Sequence, residues 1–405
     1  MLTIGSGEGQ IGRGRFDDPA GEMNSPTSGM SVGVTIAPEV GRSIRALPKV
    51  ELHRHLSGSM RFATLLELAR RHGLPLGAST PREVERLIQN RTSGGSLEEF
   101  LKAWRILNRV TADAALVDPN IYGQLVYEAV ADAYLNENIY YLELRMVPPC
   151  LTINHDFHAL EFNDALWAIK HGIDKAAKEF PTLVKIILSL PRDFLTKQTQ
   201  KFLKEYYYIL LKSVDVYKDR YLVAFDLAGN EFSHPARFFS EFFHDVKDLG
   251  YKVTIHAGEA EGPESVREAV DLLHADRIGH GVAACEDEAL MAKLKSLQIP
   301  IEICVTSNLV TGAVMPLQGH PVRMFFDFGL FLTVNADDPT VLSTDLNTEF
   351  LTLVRRFGFS LDEVRTLSAN AIDAAFCSSE EKEQVKRAMR GSQRLAQNRQ
   401  VELVE

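Results

Sequence analysis

Eight runs of mostly consecutive apolar residues follow one another along the chain from about residue 47 onward. Such runs are typical of strands that are covered on both faces, as in a parallel sheet. The runs are 49–53, 139–146, 184–190, 222–229, 252–259, 277–281, 299–304 and 330–339. Segments with apolar residues at helical spacing separate them, which predicts strand–helix units joined by right-handed crossovers. Eight such units favour an α/β fold, a single (β/α)8 TIM-type barrel.

One interval is longer than a crossover requires, because about 85 residues separate the first two predicted strands. We expect residues 59–135 to form extra helices that cap the mouth of the barrel. The pattern from Ser96 to Glu99 predicts a capping box at the start of one of them. Phe100, Leu101 and Trp104 follow at helical spacing, and core packing is favoured over a lid contact for each.

The N-terminal segment differs in composition from the rest of the chain. Residues 1–44 are rich in Gly, Ser and Pro and lack periodicity, so we expect a flexible N-terminal tail. Residues 45–405 are predicted to form the barrel domain. Within it, crossover helices are expected over 264–273 and 286–297, and C-terminal helices over 361–400.

Composition excludes several classes of protein. The 405 residues carry a net charge of −10 at pH 7, which argues against binding to a nucleic acid polymer. No apolar run approaches the roughly 18 residues of a membrane span, so no membrane partner is expected. The four cysteines lie far apart without a C-x-x-C pair, which argues against disulfides and a thiolate metal site and favours the cytoplasm. No G-x-G-x-x-G follows a predicted strand, which weakens a dinucleotide-binding interpretation.

Six side chains of the metal-binding or acid–base type fall at the carboxyl ends of predicted strands. In a barrel these ends meet at one face, where active sites lie. Residues two positions apart on a strand point to the same side of the sheet. Two histidines with this spacing can therefore bind the same ion. Three neutral imidazoles and one carboxylate would make a catalytic zinc shell with an open position for water. The six residues are His53, His55, His256, His280, Asp337 and Asp338.

A single metal ion is expected, and an acid lies beside it. Two-metal barrels of related type often carry a lysine at the end of strand four, whereas here that strand ends with Asp226 to Glu231 and has no lysine. Glu259 follows His256 by three positions, where a carboxyl group can act as a general acid or base. The alternative for Glu259 is an acid that merely stabilises the start of a helix.

These motifs, taken in order, resemble those of the adenosine deaminase family. The resemblance extends from about residue 47 to at least residue 350, and so many ordered motifs make it specific. It implies a zinc-dependent hydrolase that converts adenosine to inosine and ammonia, by attack of a zinc-activated water on C6 of the purine. The motifs are PKVELHRHLSGS (48–59), YLELRMVPP (141–149), DLAGNE (226–231), HAGE (256–259), RIGHG (277–281), TSN (306–308) and NADDP (335–339).

The resemblance also implies a role for each matching residue. Glu259 corresponds to the acid that protonates purine N1, and His280 to the group that orients and stabilises the attacking hydroxide. Asp338 corresponds to the carboxyl group that contacts N7, and Gly229 to the backbone donor to N3. His55 and Ser57 complete the substrate-binding set. The implied ligands of one Zn²⁺ per chain are His53, His55, His256 and Asp337.

Ser57 departs from the family pattern, which has an acidic residue at this position. The loss of a negative charge there would repel a 5′-phosphate less, as in N6-methyl-AMP deaminases, whose HLNGS is similar to HLSGS here. Aminodeoxyfutalosine and free adenine are further alternative substrates. Arg54 and Arg61 lie close enough in sequence to reach a phosphate, although a solvated surface position is favoured for each. A barrel that only binds ligands is the non-enzyme alternative, and the oligomeric state stays open.

Overall fold

Eight parallel strands form one sheet in which each strand pairs with the next along the chain. This arrangement, seen in a computed structural model, confirms the predicted α/β barrel. The structure describes residues 37–92, 95–147, 162–192, 210–211, 221–232 and 234–402. The strands are β1 Lys49–His55, β2 Ile139–Met146, β3 Leu183–Pro191, β4 Leu222–Ala228, β5 Lys252–Ala257, β6 Arg277–His280, β7 Ile301–Ile303 and β8 Leu332–Val334.

The ring of strands closes through a short contact between β1 and the residues that follow β8. Arg54 and Asp337 form a parallel bridge there. The Asp337 N–H donates to the carbonyl of His53 at 2.9 Å, and the His55 N–H donates to the carbonyl of Asp337 at 2.9 Å. The closing contact therefore uses residues that the sequence marked as candidate ligands.

Helices surround the sheet and also fill the long interval after β1. Those before β4 are α1 Pro38–Ala46, α2 Phe62–Arg71, α3 Pro81–Thr92, α4 Leu97–Ala115, α5 Ile121–Glu137 and α6 Phe162–Ala176. Those between β4 and β8 are α7 Ser240–Asp248, α8 Pro263–Asp271, α9 Glu288–Leu297, α10 Val305–Val310 and α11 Val322–Phe328. Those after β8 are α12 Pro339–Leu342, α13 Leu346–Phe357, α14 Leu361–Ala374 and α15 Ser379–Glu402.

The boundary between tail and domain differs from the prediction. Helix α1 occupies part of the segment that was expected to be flexible, because Pro38 suits a first helical position and Ile44 is buried against the core. The rest of the predicted tail, residues 1–36, lies outside the described residues. The predicted crossover helices are present, with α8 and α9 each shifted by one or two residues.

Helix α4 begins with one half of the predicted capping box. The Ser96 hydroxyl accepts from the Glu99 N–H at 3.3 Å, whereas the Glu99 carboxylate pairs with Lys102. Phe100 and Leu101 are buried in the main hydrophobic cluster, and Trp104 is half-buried. All three also line the cavity described below. Phe100 and Leu101 therefore pack in the core and face the cavity as well, whereas the prediction treated these two positions as alternatives.

Two glycines bring α5 and α6 into direct contact. A Cβ added to Gly172 would lie 2.3 Å from the carbonyl oxygen of Gly123, and one added to Gly123 would lie 2.6 Å from that of Ala168. The helices therefore approach each other through backbone alone. Among the described residues, none of the helices is both long and apolar enough to cross a bilayer.

The amino end of β1 carries a buried lysine. The Lys49 ammonium donates to the carbonyls of Leu47 and Glu137 at 2.8 and 2.9 Å. Burial lowers its pKa to about 7, although Glu137 and Asp345 act in the opposite direction. Lys49 thus meets its hydrogen-bonding needs but loses most of its preference for the charged state.

Candidate active site

A cavity opens at the carboxyl ends of the strands, with about 580 Å³ of empty space that includes part of the open solvent at its mouth. Its lining combines aromatic with titratable side chains, as is common in small-molecule sites. Helix α4 contributes Phe100, Leu101 and Trp104 to one wall. The predicted site residues that line it are His55, Gly229, His256, Glu259, His280, Asp337 and Asp338.

Four side chains converge on one point at the base of this cavity. The Nε2 atom of His256 lies 3.1 Å from that of His53 and 3.3 Å from that of His55. The Asp337 Oδ1 lies 3.5 Å from the Nε2 of His53 and 3.3 Å from that of His55. The four candidate ligand atoms all lie within 4.8 Å of one another. One ion can therefore contact all four of the predicted ligands.

The chemistry of these donors suits a divalent transition metal. Burial lowers the pKa of the His55 imidazole to about 3, so this ring is neutral and keeps a lone pair for a metal. Burial alone would raise the pKa of Asp337, but His53, His55 and His280 hold it well below its ordinary value. Three imidazoles and one carboxylate form a set that zinc binds, and a structural site with four cysteines is not present among the described residues.

Two buried carboxylates orient the ligand rings from behind. The Nδ1 of His53 lies 2.8 Å from Glu302 Oε2, and the Nδ1 of His256 lies 2.9 Å from Asp226 Oδ1. Each contact fixes the Nδ1–H tautomer and leaves Nε2 free to coordinate. Arg145 contacts both carboxylates. Sequence reasoning missed Glu302 and Asp226, although an acid inside an apolar strand was a visible signal.

The backbone is held in an unusual conformation at two of the site residues. His280 and Asp337 have φ angles of 62° and 60°. Residues other than glycine in this left-handed region cost about 1–3 kcal/mol and cluster at functional sites. At Asp337 the conformation is compatible with both backbone hydrogen bonds to β1.

Glu259 is positioned by another carboxylate that the sequence analysis did not single out. Glu231 follows β4 and accepts hydrogen bonds from the N–H groups of Gly258, Glu259 and Ala260 at 2.7, 3.0 and 2.7 Å. It thereby holds the turn after β5 in place. Burial raises the pKa of Glu259 to about 8, and the negative charges of Asp337 and Glu231 add to this effect.

His280 faces both Glu259 and the ligand cluster. Its Nε2 lies 3.7 Å from Glu259 Oε2 and 3.9 Å from Asp337 Oδ2. Its Nδ1 lies 3.0 Å from the side-chain nitrogen of Asn308, in the TSN segment. Burial holds the pKa of His280 well below its ordinary value, so the ring is neutral.

Gly229 and Asp338 follow β4 and β8, which lie four strands apart in the ring, and both residues line the cavity. Gly229 follows β4 with a φ of 98°. Asp338 packs directly on Gly58, where an added Cβ would lie 1.7 Å from Asp338 Oδ1. This oxygen is buried and has no hydrogen-bond partner. Burial and the adjacent Asp337 hold the pKa of Asp338 well above its ordinary value.

Ser57 lies on the short helical turn after β1 and contacts the capping helices. Its hydroxyl donates to the Asn108 side-chain oxygen on α4. The Asn108 side-chain nitrogen is buried and has no partner. Arg54 does not have the predicted surface position, because it is buried and pairs with Glu137 at 2.6 Å. Arg61 pairs with Asp132 on the surface.

Comparison with known proteins supports the chemistry that this geometry suggests. The family model described as adenosine deaminase matches residues 48–390. An adenosine deaminase from Shewanella denitrificans is 36% identical over 340 residues, which are 84% of this chain and 97% of the relative.

Solved structures agree with this match. The N6-mAMP deaminase from Arabidopsis is 30% identical with a TM-score of 0.73, covering 86% of this chain and 99% of that one. An amidohydrolase from Burkholderia ambifaria with bound Zn is 24% identical with a TM-score of 0.77, covering 91% and 96%. The latter likeness concerns the fold alone. The chain belongs to the adenosine deaminase family and is a metal-dependent hydrolytic deaminase.

Proposed function

We propose that this protein is a zinc-dependent enzyme that removes the 6-amino group of an adenine-containing nucleoside and converts adenosine to inosine and ammonia. The observation that carries the proposal is the meeting of four metal-ligand atoms beside Glu259 and His280 in one cavity. The adenosine deaminase from S. denitrificans supports the substrate class, and the set of three imidazoles and one carboxylate supports the metal.

In this proposal, His53, His55, His256 and Asp337 hold the ion. A bound Zn²⁺ lowers the pKa of water toward about 7 and so supplies a nucleophile at neutral pH. Glu302 and Asp226 accept the Nδ1 protons of His53 and His256. The Nε2 atoms of these two rings are thereby directed toward the ion.

Glu259 supplies the proton that the purine ring needs. Addition of water to C6 places negative charge on N1, so an acid at N1 lowers the barrier. Burial favours the protonated form of Glu259 at neutral pH, and the hydrogen bonds from the turn to Glu231 hold it in place. His280 presents its Nε2 to the same region, 3.7 Å from Glu259.

Asp338 and Gly229 orient the base. Purine N7 accepts hydrogen bonds only, so a carboxyl group that contacts it must carry a proton. Burial beside Asp337 favours that form of Asp338, which lines the cavity. Gly229, which also lines the cavity, donates its backbone N–H to N3 in this proposal.

A second candidate substrate, an adenine nucleotide with a 5′-phosphate, is favoured by the environment of Ser57. A carboxylate at this position would only accept hydrogen bonds and would repel a phosphate. Ser57 and Asn108 instead form a neutral pair, and the Asn108 side-chain nitrogen is a donor without a partner. Donors suit phosphate oxygens, which only accept. The likeness of the chain to the Arabidopsis N6-mAMP deaminase supports this candidate.

The test is an ammonia-release screen of the zinc-loaded protein. Adenosine, adenine, AMP, N6-methyl-AMP and aminodeoxyfutalosine are compared side by side. Adenosine turnover supports the first candidate, preferential turnover of the AMP compounds supports the second, and no release from any of them refutes both.

Two variants assign roles within this screen. Glu259→Gln should retain zinc and lose about 10²–10⁴-fold in kcat, the usual contribution of a general acid. Retained turnover would refute the role of Glu259. Ser57→Asp should shift kcat/KM from AMP compounds toward adenosine, and an unchanged ratio would show that residue 57 does not select the 5′ group.

A further inference from the structure

A continuous series of hydrogen bonds leads from the start of α11 to His280. The Val322 N–H donates to His320 Nδ1 at 3.2 Å, and His320 Nε2 lies 3.2 Å from the Asn308 side-chain oxygen. The Asn308 side-chain nitrogen then lies 3.0 Å from His280 Nδ1. His320 and Asn308 are buried, and neither lines the cavity.

The direction of every bond in the series follows from its first member. A backbone N–H can only donate, so His320 Nδ1 must be the acceptor. His320 is neutral, since burial lowers its pKa to about 4, and its proton therefore resides on Nε2. This N–H donates to the Asn308 oxygen, which turns the Asn308 NH₂ group toward His280. His280 Nδ1 must then accept, and its proton must reside on Nε2.

We propose that Asn308 and His320 are positioning residues that fix His280 as the Nε2–H tautomer, so that the ring presents a donor to the reacting centre. The relevance of this donor to catalysis rests on the proposed function, whereas the tautomer itself does not. The ligand histidines show the opposite arrangement. His53 and His256 carry their proton on Nδ1, because a carboxylate accepts it there.

The alternative tautomer is opposed at both ends of the series. It would require Asn308 to turn its oxygen toward His280 and its NH₂ group toward the His320 N–H, which places donor against donor. It would also direct the lone pair of His280 Nε2 toward the ionised carboxylate of Asp337, whose Oδ2 lies 3.9 Å away. Fixing a tautomer through a hydrogen bond at the other ring nitrogen is an established way to prepare a histidine for its role.

Nuclear magnetic resonance of the zinc-loaded protein with ¹⁵N-labelled histidine tests the tautomer directly. Long-range ¹H–¹⁵N correlations show which ring nitrogen carries the proton, and the signal absent from His280→Ala assigns the residue. We expect protonated Nε2 and unprotonated Nδ1 for His280. A proton on Nδ1 would overturn the proposal. This readout requires no substrate, so it stands apart from failure of the proposed function.

Two substitutions of His320 test the series as the cause. His320→Leu removes the donor to Asn308, whereas His320→Gln keeps an N–H near the same place. We expect the Leu variant to bind zinc normally, to lose about 10- to 100-fold in kcat and to keep its KM within about twofold. Complete loss of an electrostatic donor costs about 10²–10³-fold, which sets the upper limit. The Gln variant should recover most of the lost kcat.

Phe357→Leu is the matched control for packing. Its ring lies 5.8 Å from that of His320, and it belongs to none of the hydrogen bonds in the series. We expect its kcat to resemble that of the parent protein. Equal losses in the Leu and Gln variants of His320, or a loss in Phe357→Leu as large as in His320→Leu, would show that His320 acts through packing. If His320→Leu does not fold, the tautomer of the parent protein decides alone.

Discussion

Replacement of Asp226 by Asn should weaken metal binding while the fold is retained. Asp226 accepts from His256 Nδ1 at 2.9 Å and from the Ser189 hydroxyl at 2.8 Å. An asparagine can preserve both contacts, because its oxygen accepts from His256 and its NH₂ group donates to the serine oxygen. The substitution therefore removes a charge behind the ligand ring without removing a hydrogen bond.

The expected loss follows from what the charge does. Burial would raise the pKa of Asp226, but His256 and Arg145 hold it well below its ordinary value, so the native carboxylate is ionised. An ionised acceptor makes the coordinating nitrogen of His256 more basic. Loss of such a partner typically weakens metal affinity 10- to 100-fold, which corresponds to about 1.4–2.7 kcal/mol.

Competition with a chromophoric chelator measures this affinity at pH 7 for the parent protein, Asp226→Asn and Ser189→Ala. The serine variant is the matched control, because it loses one hydrogen bond to the same carboxylate and keeps the charge. We expect it to lose about 0.5–1.5 kcal/mol of folding stability and to bind zinc nearly as the parent does.

If Asp226→Asn bound zinc within about twofold of the parent protein, the charge of Asp226 would have no role in metal affinity. If Ser189→Ala weakened zinc binding as strongly as Asp226→Asn, the position of the carboxylate rather than its charge would explain the loss. Thermal unfolding of the metal-free proteins checks that both variants fold.

Three further predictions concern packing and pH. Gly58→Ala should displace Asp338, lowering kcat/KM about 10²-fold with zinc retained, as a 1 Å misplacement can do; an unchanged kcat/KM would separate Asp338 from catalysis. Gly172→Ala should destabilise the fold by about 1–3 kcal/mol in urea unfolding, whereas Gly391→Ala, in open space on α15, should stabilise it slightly, and equal effects would contradict the close helix contact. The folded pKa of Lys49, about 7, is below its ordinary value of 10.5, so the unfolded chain binds more protons between these pH values and the free energy of unfolding gains at most about 1.4 kcal/mol per pH unit from this group. Lys49→Met should reduce that slope between pH 7 and 9, and an identical slope would exclude Lys49 as its source.

The fold was predictable from sequence because its strands are buried on both faces. Their apolar runs stand out from the helical patterns between them, and β6 was found even though Arg277–His280 spans only four residues. The candidate ligands were predictable for a geometric reason, since a barrel gathers the carboxyl ends of its strands at one face. His53 and His256 therefore meet although 203 positions separate them.

The supporting residues were harder to predict, because their partners are distant in sequence. Arg54 pairs with Glu137, 83 positions away, and no local pattern distinguishes this buried pair from a surface one. Glu302 contacts His53 across 249 positions. The series through His320 depends on which side-chain atoms face each other, a property that appears only after the helices pack.

The closing contact of the barrel has a consequence for how the protein responds to metal scarcity. The backbone groups of His53, His55 and Asp337 join β1 to the segment after β8. The side chains of the same residues supply three of the four ligand atoms. An ion that binds only the folded state adds RT ln(1 + [M]/Kd) to stability, about 4 kcal/mol at a thousandfold excess over Kd. Metal binding therefore stabilises the closing contact between β1 and the segment after β8. Once zinc is removed, the amides of His55 and Asp337 should exchange with deuterium sooner than those of β3. Loss of zinc would thus open the barrel first at the candidate active site.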